Sequence, residues 1–217
     1  MLSSCFAMAA VPALPAQAPA SSSSPRGKKS APASPLNSGA VSNGVYRNPA
    51  FEFTCSIPAG WVFRTEEMNA PAGDTRAVAD KTAEDASNAG RVLLAAFSRP
   101  PEARAQDVNS SILIAAESAA SYPGLTDAAQ YFGPVSEVAR AQGFEEVEEP
   151  YEFVVGRKTV ARADFQKDVG TRVMRQSTLV MLAHGYAVSF TFIGGTEDEV
   201  EELVQGLSFG AGAKPAK

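Results

Sequence analysis

Residues 171–209, TRVMRQSTLVMLAHGYAVSFTFIGGTEDEVEELVQGLSF, read as a β-hairpin, a capped helix and a closing apolar tail. Tyr186, Val188, Phe190 and Phe192 alternate with Ala187, Ser189 and Thr191, the period of two that marks a strand with one strongly apolar face. The run Leu179-Val180-Met181-Leu182 before it is apolar on both faces, which suits a central strand covered on both sides. His184-Gly185 separates the two runs. A two-residue hairpin needs positive φ, which Gly takes freely and His tolerates better than most residues, so a tight turn is expected there. After Gly194-Gly195, Thr196 and Glu199 form the S/T-x-x-E pattern of a capping box. Val200, Leu203, Val204 and Leu207 then follow at i, i+3, i+4 and i+7, the apolar stripe of a helix laid on a core.

The chain of 217 residues is 45% hydrophobic, enough for one cored domain with an appendage. Its formal charge of −5 is unevenly spread. Taking away the five cations outside residues 46–209 (Arg26, Lys28, Lys29, Lys214 and Lys217) leaves a formal −10 on that body, since no Asp or Glu lies outside it. Such a body lacks the clustered Lys and Arg that phosphate recognition needs, so neither nucleic acid nor an anionic lipid surface is an expected partner.

Residues 1–20 read as a signal-like leader. A short apolar run from Cys5 to Leu14 precedes Ala16-Gln17-Ala18 and Ala18-Pro19-Ala20, small residues at alternate positions before a Ser run. The run is too short to span a bilayer. No basic residue precedes it, so either the true start lies upstream of Met1 or the segment is not a signal; an upstream start is equally needed for Leu2-Ser3-Ser4-Cys5 as a lipid-anchor site at Cys5. The expected location is periplasmic or extracellular; a Ser-rich, basic, acid-poor segment is also what an organellar transit peptide looks like, which would place the protein in an organelle lumen. Residues 21–44, rich in Ser, Ala, Pro and Gly, are expected to be a disordered linker, residues 45–209 the folded domain, and residues 210–217 a flexible tail.

Within the domain, Asn48-Pro49 marks a turn, Phe51 and Phe53 share one strand face, and Pro58 with Gly60 breaks that strand so that Trp61 folds back on the sheet before Val62-Phe63 resumes it. Residues 66–90 lack periodicity and read as a long surface excursion. Residues 92–97 and 111–116 suit buried strands. Residues 126–142 suit a helix, kinked at Gly133-Pro134 and stopped at Gly143. Residues 151–155 and 158–166 suit a strand pair across Gly156-Arg157.

This order of elements resembles the PsbP-like superfamily, and most of all its uncharacterised exported bacterial members. The residues that carry the resemblance are Tyr46-x-Asn48, Phe51-x-Phe53, Ile57-Pro58-Ala59-Gly60-Trp61, Gly185-Tyr186-Ala187-Val188-Ser189-Phe190 and Leu207-Ser208-Phe209, covering about residues 45–209. The resemblance implies an α+β fold, an antiparallel sheet flanked by helices in an α/β/α sandwich, and a non-catalytic role in binding or assembly. It supplies no site motif.

The residues themselves assign no catalytic, cofactor-binding or metal-ligating position and no cofactor. His184, the only His, is better explained as a turn residue than as a general base. Cys55 sits in an apolar strand-like setting with no basic neighbour in sequence to favour a thiolate. The run Glu145 to Glu149 has no His or Cys beside it and is better read as a solvated face than as an ion site. Arg157, Lys158, Arg162, Arg172 and Arg175 could line a basic strip across adjacent strands, but Arg162 alternates onto the face of Lys158 and Asp164, where cross-strand ion pairing is the simpler role. Two classes follow. One is an exported binding or assembly module for a protein or a small apolar ligand. The other is a carboxylate-based enzyme, which a buried Asp or Glu facing a pocket would favour.

Overall fold

The computed structural model describes residue 36 and residues 39–70, 90–103, 105, 107–155 and 158–210. The expected leader, most of the expected linker, most of the 66–90 excursion, the Gly156-Arg157 turn and the tail beyond 210 lie outside the described residues. Ala40–Ser42 (β1) turns at Asn43-Gly44 into Val45–Asn48 (β2). Asn43 and Gly44 have φ of 51° and 71°, the two left-handed residues that match a hairpin's twist. Strand pairing therefore begins at residue 40, inside the stretch expected to be linker.

Asn48 is fully buried, and its side-chain oxygen accepts the N–H groups of Ala50 and Phe51, each at 3.1 Å, which bends the chain into Phe53–Ser56 (β3). Phe51 lies in this turn rather than on the strand, and is still fully buried. The segment after Ile57 also differs from expectation. Val62–Phe63 (β4) pairs with Arg91–Phe97 (β5) in a different sheet from β3, so Pro58 to Gly60 carries the chain between sheets instead of interrupting one strand. Trp61 sits on this connector, half-buried, with its ring against the core.

Thr65–Asn69 (α1) precedes β5, and Ser111–Ser118 (β6) follows it. The helix expected over 126–142 is shorter: a 3-10 turn at Ala129–Tyr131 leads into Phe132–Ala141 (α2). Pro134 is the third residue of α2, where its missing N–H has no intrahelical acceptor to lose, so no mid-helix kink results. Gly143, at φ 84°, ends the helix, its N–H donating to Arg140 O while Phe144 N–H donates to Ala139 O. The remaining elements are Glu145–Glu146 (β7), Tyr151–Val155 (β8), Lys158–Val169 (β9), Arg172–Ala183 (β10), Tyr186–Gly194 (β11), Glu197–Gln205 (α3) and Leu207–Phe209 (β12).

All strand pairs are antiparallel. One sheet has the order β1-β2-β3-β12, and the other β4-β5-β6-β11-β10-β9-β7 with β8 also paired to β9. The β10–β11 hairpin closes at His184 (φ 53°) and Gly185 (φ 80°), with Ala183 opposite Tyr186, as expected. Thr196 caps α3: its hydroxyl oxygen accepts Glu199 N–H at 3.2 Å. The Glu199 carboxylate reaches one residue further back than a standard capping box, accepting Gly195 N–H at 2.9 Å and the Ser110 hydroxyl.

Alternation along the large sheet creates two cores. Val188, Phe190, Phe192, Leu179 and Met181 face α3 and the small sheet, where Tyr46, Phe53, Val200 and Leu203 meet them. Ala161, Ala163, Phe165 and Val180 face α2 and pack on Phe132 and Ala139. The class is α+β, as expected. An α/β/α sandwich is not supported: a second β-sheet supplies much of the cover on one face, and among the described residues the helices, of five, ten and nine residues, are too short to blanket eight strands.

Phe190→Ala is expected to cost about 3–5 kcal/mol, the usual range for a buried Phe. Trp61→Ala, at the edge of the same core, should cost clearly less. Chemical denaturation of both variants measures this, and a larger loss for Trp61 would misplace the junction. At the hairpin, His184→Val should destabilise by roughly 1–2 kcal/mol, because a β-branched residue resists the left-handed region, while His184→Asn should lie close to wild type. Equal stabilities would show that φ at 184 imposes no constraint.

Candidate functional site

The α2 helix covers only part of its face of the large sheet. Beside it, Leu113 of β6, Ser189, Thr191 and Ile193 of β11, and Gln176 and Thr178 of β10 form the floor of an open groove of about 270 Å³. Pro134, Val135 and Val138 of α2 make one wall. Antiparallel register puts these floor residues on one face, since Leu113 stands opposite Thr191, Thr191 opposite Thr178, and Ile193 opposite Gln176. The floor is polar but largely self-satisfied: Gln176 Nε2 donates to Thr178 Oγ1 at 3.1 Å, and the hydroxyls of Thr178 and Thr191 share a bond of 3.2 Å. The wall is apolar, and Val138 is 58% exposed at the rim.

One end of the groove carries a carboxylate. Glu117 ends the inward-facing row Leu113, Ala115, Glu117 on β6, and is half-buried. Its Oε2 accepts the Tyr122 hydroxyl. Tyr122 follows the 3-10 turn Ala119–Ser121, which is pinned to the β10–β11 hairpin by Ala119 N–H donating to Gly185 O at 2.8 Å. Tyr131 is brought alongside by the second 3-10 turn, started by Asp127 accepting Gln130 N–H and by Gln130 accepting Thr126 N–H. The two tyrosine rings meet edge to face with centroids 5.1 Å apart. Burial, followed by the Glu117 charge, pushes the Tyr131 phenol well above its ordinary value; burial, followed by the bond to Glu117, does the same for Tyr122. Both phenols are therefore donors and not bases at neutral pH. Among the described residues no Lys or Arg is within ion-pairing distance of Glu117.

A second cleft of about 340 Å³ lies on the opposite face, between α3 and strands β9 and β10. Arg162 dominates it, clamped to Asp164 at 3.0 Å and to Glu201 of α3. Burial works against the charge of the guanidinium, but the bonds from Glu201 and Asp164 outweigh it and hold the group protonated. Arg162 does pair with Asp164, but along its own strand β9 and with the helix carboxylate of Glu201, not across neighbouring strands as expected. The one guanidinium is shared by these two carboxylates, and its bond to Glu201 ties α3 to the sheet.

The other residues singled out from the sequence are dispersed. Lys158 pairs with Glu52 at 2.9 Å, Arg172 is exposed at the far end of β10, Arg175 lines the α3 cleft, and Arg157 is outside the described residues; among the described residues no continuous basic strip forms. Within the acidic run, Glu146 is engaged by Arg140 at 2.9 Å and Ser136 at 3.3 Å, joining β7 to α2. His184 is exposed, with its ring 6.3 Å from that of Phe51. Cys55 is fully buried, and burial pushes its thiol up to about 12, so the thiolate that a nucleophile requires is not populated. Glu117, Tyr122 and Tyr131 were not legible as a set. The available signal was a lone Glu ending the apolar run of β6 on the inward period.

Compared with protein-family models and with curated proteins, the sequence gives no match. Solved structures to which the chain is similar include the cyanobacterial PsbP (CyanoP) of Synechocystis sp. PCC 6803, at 15% identity over 76% of this chain and 91% of that one with a TM-score of 0.45. They also include the Ran-binding protein Mog1p of Saccharomyces cerevisiae, at 14% identity over 78% and 96% with a TM-score of 0.41. A third is LpqN of Mycobacterium tuberculosis, described as involved in cell envelope biogenesis, at 11% identity over 73% and 83% with a TM-score of 0.35. Among the described residues, no helix is long and apolar enough to cross a membrane.

Proposed function

We propose that this chain is an exported, non-catalytic binding module of PsbP-like architecture whose α2 groove holds a small ligand with an apolar body. The observation that carries the reading is the sheet face left open beside α2, with an apolar wall, a hydrogen-bonded hydroxyl floor and a rim of exposed Val138. A floor whose polar groups already bond one another does not require a ligand to satisfy them, so a largely apolar guest loses little on entry. The architecture rests on the residues of the opening strands, the Ile57-to-Trp61 connector and the β11 strand; export rests on the small-residue pattern ending at Ala20.

The carboxylate-enzyme reading is favoured by one feature, Glu117 at the end of the groove. Its neighbours there are two phenols held protonated, which suits hydrogen bonding to a guest better than proton transfer.

The neutral fluorophore N-phenyl-1-naphthylamine is expected to brighten on binding to the folded domain. Val138→Trp, which narrows the mouth from an exposed position, should weaken that binding by roughly tenfold, about 1.4 kcal/mol, with unchanged thermal stability. Undiminished binding in this variant removes the groove from the reading. Export is checked separately by mass spectrometry of the protein from its native source: an N-terminus near Ser21 is expected, and a mature chain that retains Met1 overturns it.

A further inference from the structure

We infer that the α2 groove is built for an amphipathic organic cation: an ammonium group at the Glu117, Tyr122 and Tyr131 end, and an apolar tail lying along β6 toward Leu113 and Val135. The inference rests on the binding reading above and adds the chemical class of the guest.

Three observations converge on it. First, Glu117 is half-buried at one end of the groove, and among the described residues no Lys or Arg is within ion-pairing distance of it. This contrasts with the α3 cleft, where Arg162 is already bonded to both Asp164 and Glu201. The Tyr122 hydroxyl takes one oxygen of Glu117, and a carboxylate has lone pairs left on both. An ammonium is the partner that supplies both charge and donors. Second, two tyrosine rings line the groove beside that carboxylate, with centroids 5.1 Å apart, and aromatic rings attract organic cations through their quadrupole. Third, the groove runs from the charge along the apolar wall of Pro134, Val135 and Val138, with Leu113 on its floor. Leu113 stands four residues from Glu117 on β6, roughly 13 Å at about 3.3 Å per residue, room for a chain of several carbons. Anions are disfavoured at the same place by Glu117 itself and by the formal −10 of the domain.

The backbone is shaped to let the carboxylate lie there. A Cβ on Gly90 would come within 2.7 Å of the Glu117 Cγ, so the absence of a side chain at residue 90 leaves space for the Glu117 stem.

The test is a calorimetric or NMR titration with three probes matched in length: n-hexylammonium, 1-hexanol and hexanoate. The wild-type chain is expected to bind the ammonium at least roughly tenfold more tightly than the alcohol, in line with hydrogen bonds to charged groups, and hexanoate least of all. Glu117→Gln keeps the size of the side chain and an acceptor for Tyr122. It should bring the ammonium down to the level of the alcohol without changing alcohol binding. Tyr122→Phe should weaken ammonium binding less, because the carboxylate remains. Equal wild-type affinities for ammonium and alcohol, or a preference that survives Glu117→Gln, overturn the cation inference and leave the groove standing. No binding of any probe, or binding of all three untouched by Val138→Trp, overturns the groove itself.

Discussion

Phe190 is where the two sheets become one structure. Its fully buried ring on β11 meets Phe53 of β3 edge-on at 4.8 Å and Phe209 of β12 at 5.6 Å, so three strands from two sheets share one aromatic junction. Each such contact adds about 0.5–1.5 kcal/mol beyond the area it buries. The chain between β11 and β12 has to cross that junction and return. It does so with α3, nine residues and roughly 13 Å at 1.5 Å per residue, laid so close that a Cβ on Gly194 would be 3.0 Å from Val200 Cγ2. The Glu199 bonds to Gly195 and Ser110 and the Arg162 clamp on Glu201 then hold the helix at its first turn and at its middle.

Sealing one face of the large sheet so thoroughly leaves the other face unequal to it. The small sheet and α3 fill the first, whereas among the described residues the second is covered by α2, the 3-10 turns that carry Tyr122 and Tyr131, and Phe144, which leave part of β6 and β11 open. Serine and threonine on β10 and β11 mark the uncovered area: the same positions bear Val180 and Ala187 where α2 reaches. Among the described residues, the groove is thus a consequence of one ten-residue helix and two short turns on a face eight strands wide.

Legibility followed local pattern. The β10–β11 hairpin, the Thr196 cap and the inward stripe of α3 were readable because a period and a turn signal coincide there. The Asn43-Gly44 turn carried an equally good hairpin signal, yet β1 and β2 are only three and four residues long and β1 is exposed throughout, so the surrounding Ser, Pro and Gly dominated the reading. Pro134 suggested a kink because its place in the helix depends on where the helix begins, and the polar residues 126–130 form turns whose bonds a helical pattern does not distinguish. The transfer of Val62-Phe63 to the other sheet could not be read at all, since two residues carry no register. Glu117, Tyr122 and Tyr131 meet only through the pairing of β6 with β11 and through two 3-10 turns, contacts that no spacing in the chain announces.

The β8 strand pairs with β9 on one side only, and among the described residues nothing pairs with its other edge, along which Tyr151 and Val154 are 43% and 69% exposed. Open backbone donors and acceptors beside exposed apolar side chains are what recruits a neighbouring chain into an ever-growing sheet. Here Glu148 and Glu149 lie just before the strand and Glu152 within it, all exposed. Any second copy adding itself edge to edge would bring like charges face to face at the spacing of paired strands. The acidic run thus acts as a gatekeeper: it keeps a sticky edge colloidally inert, and high ionic strength is the condition under which that restraint weakens.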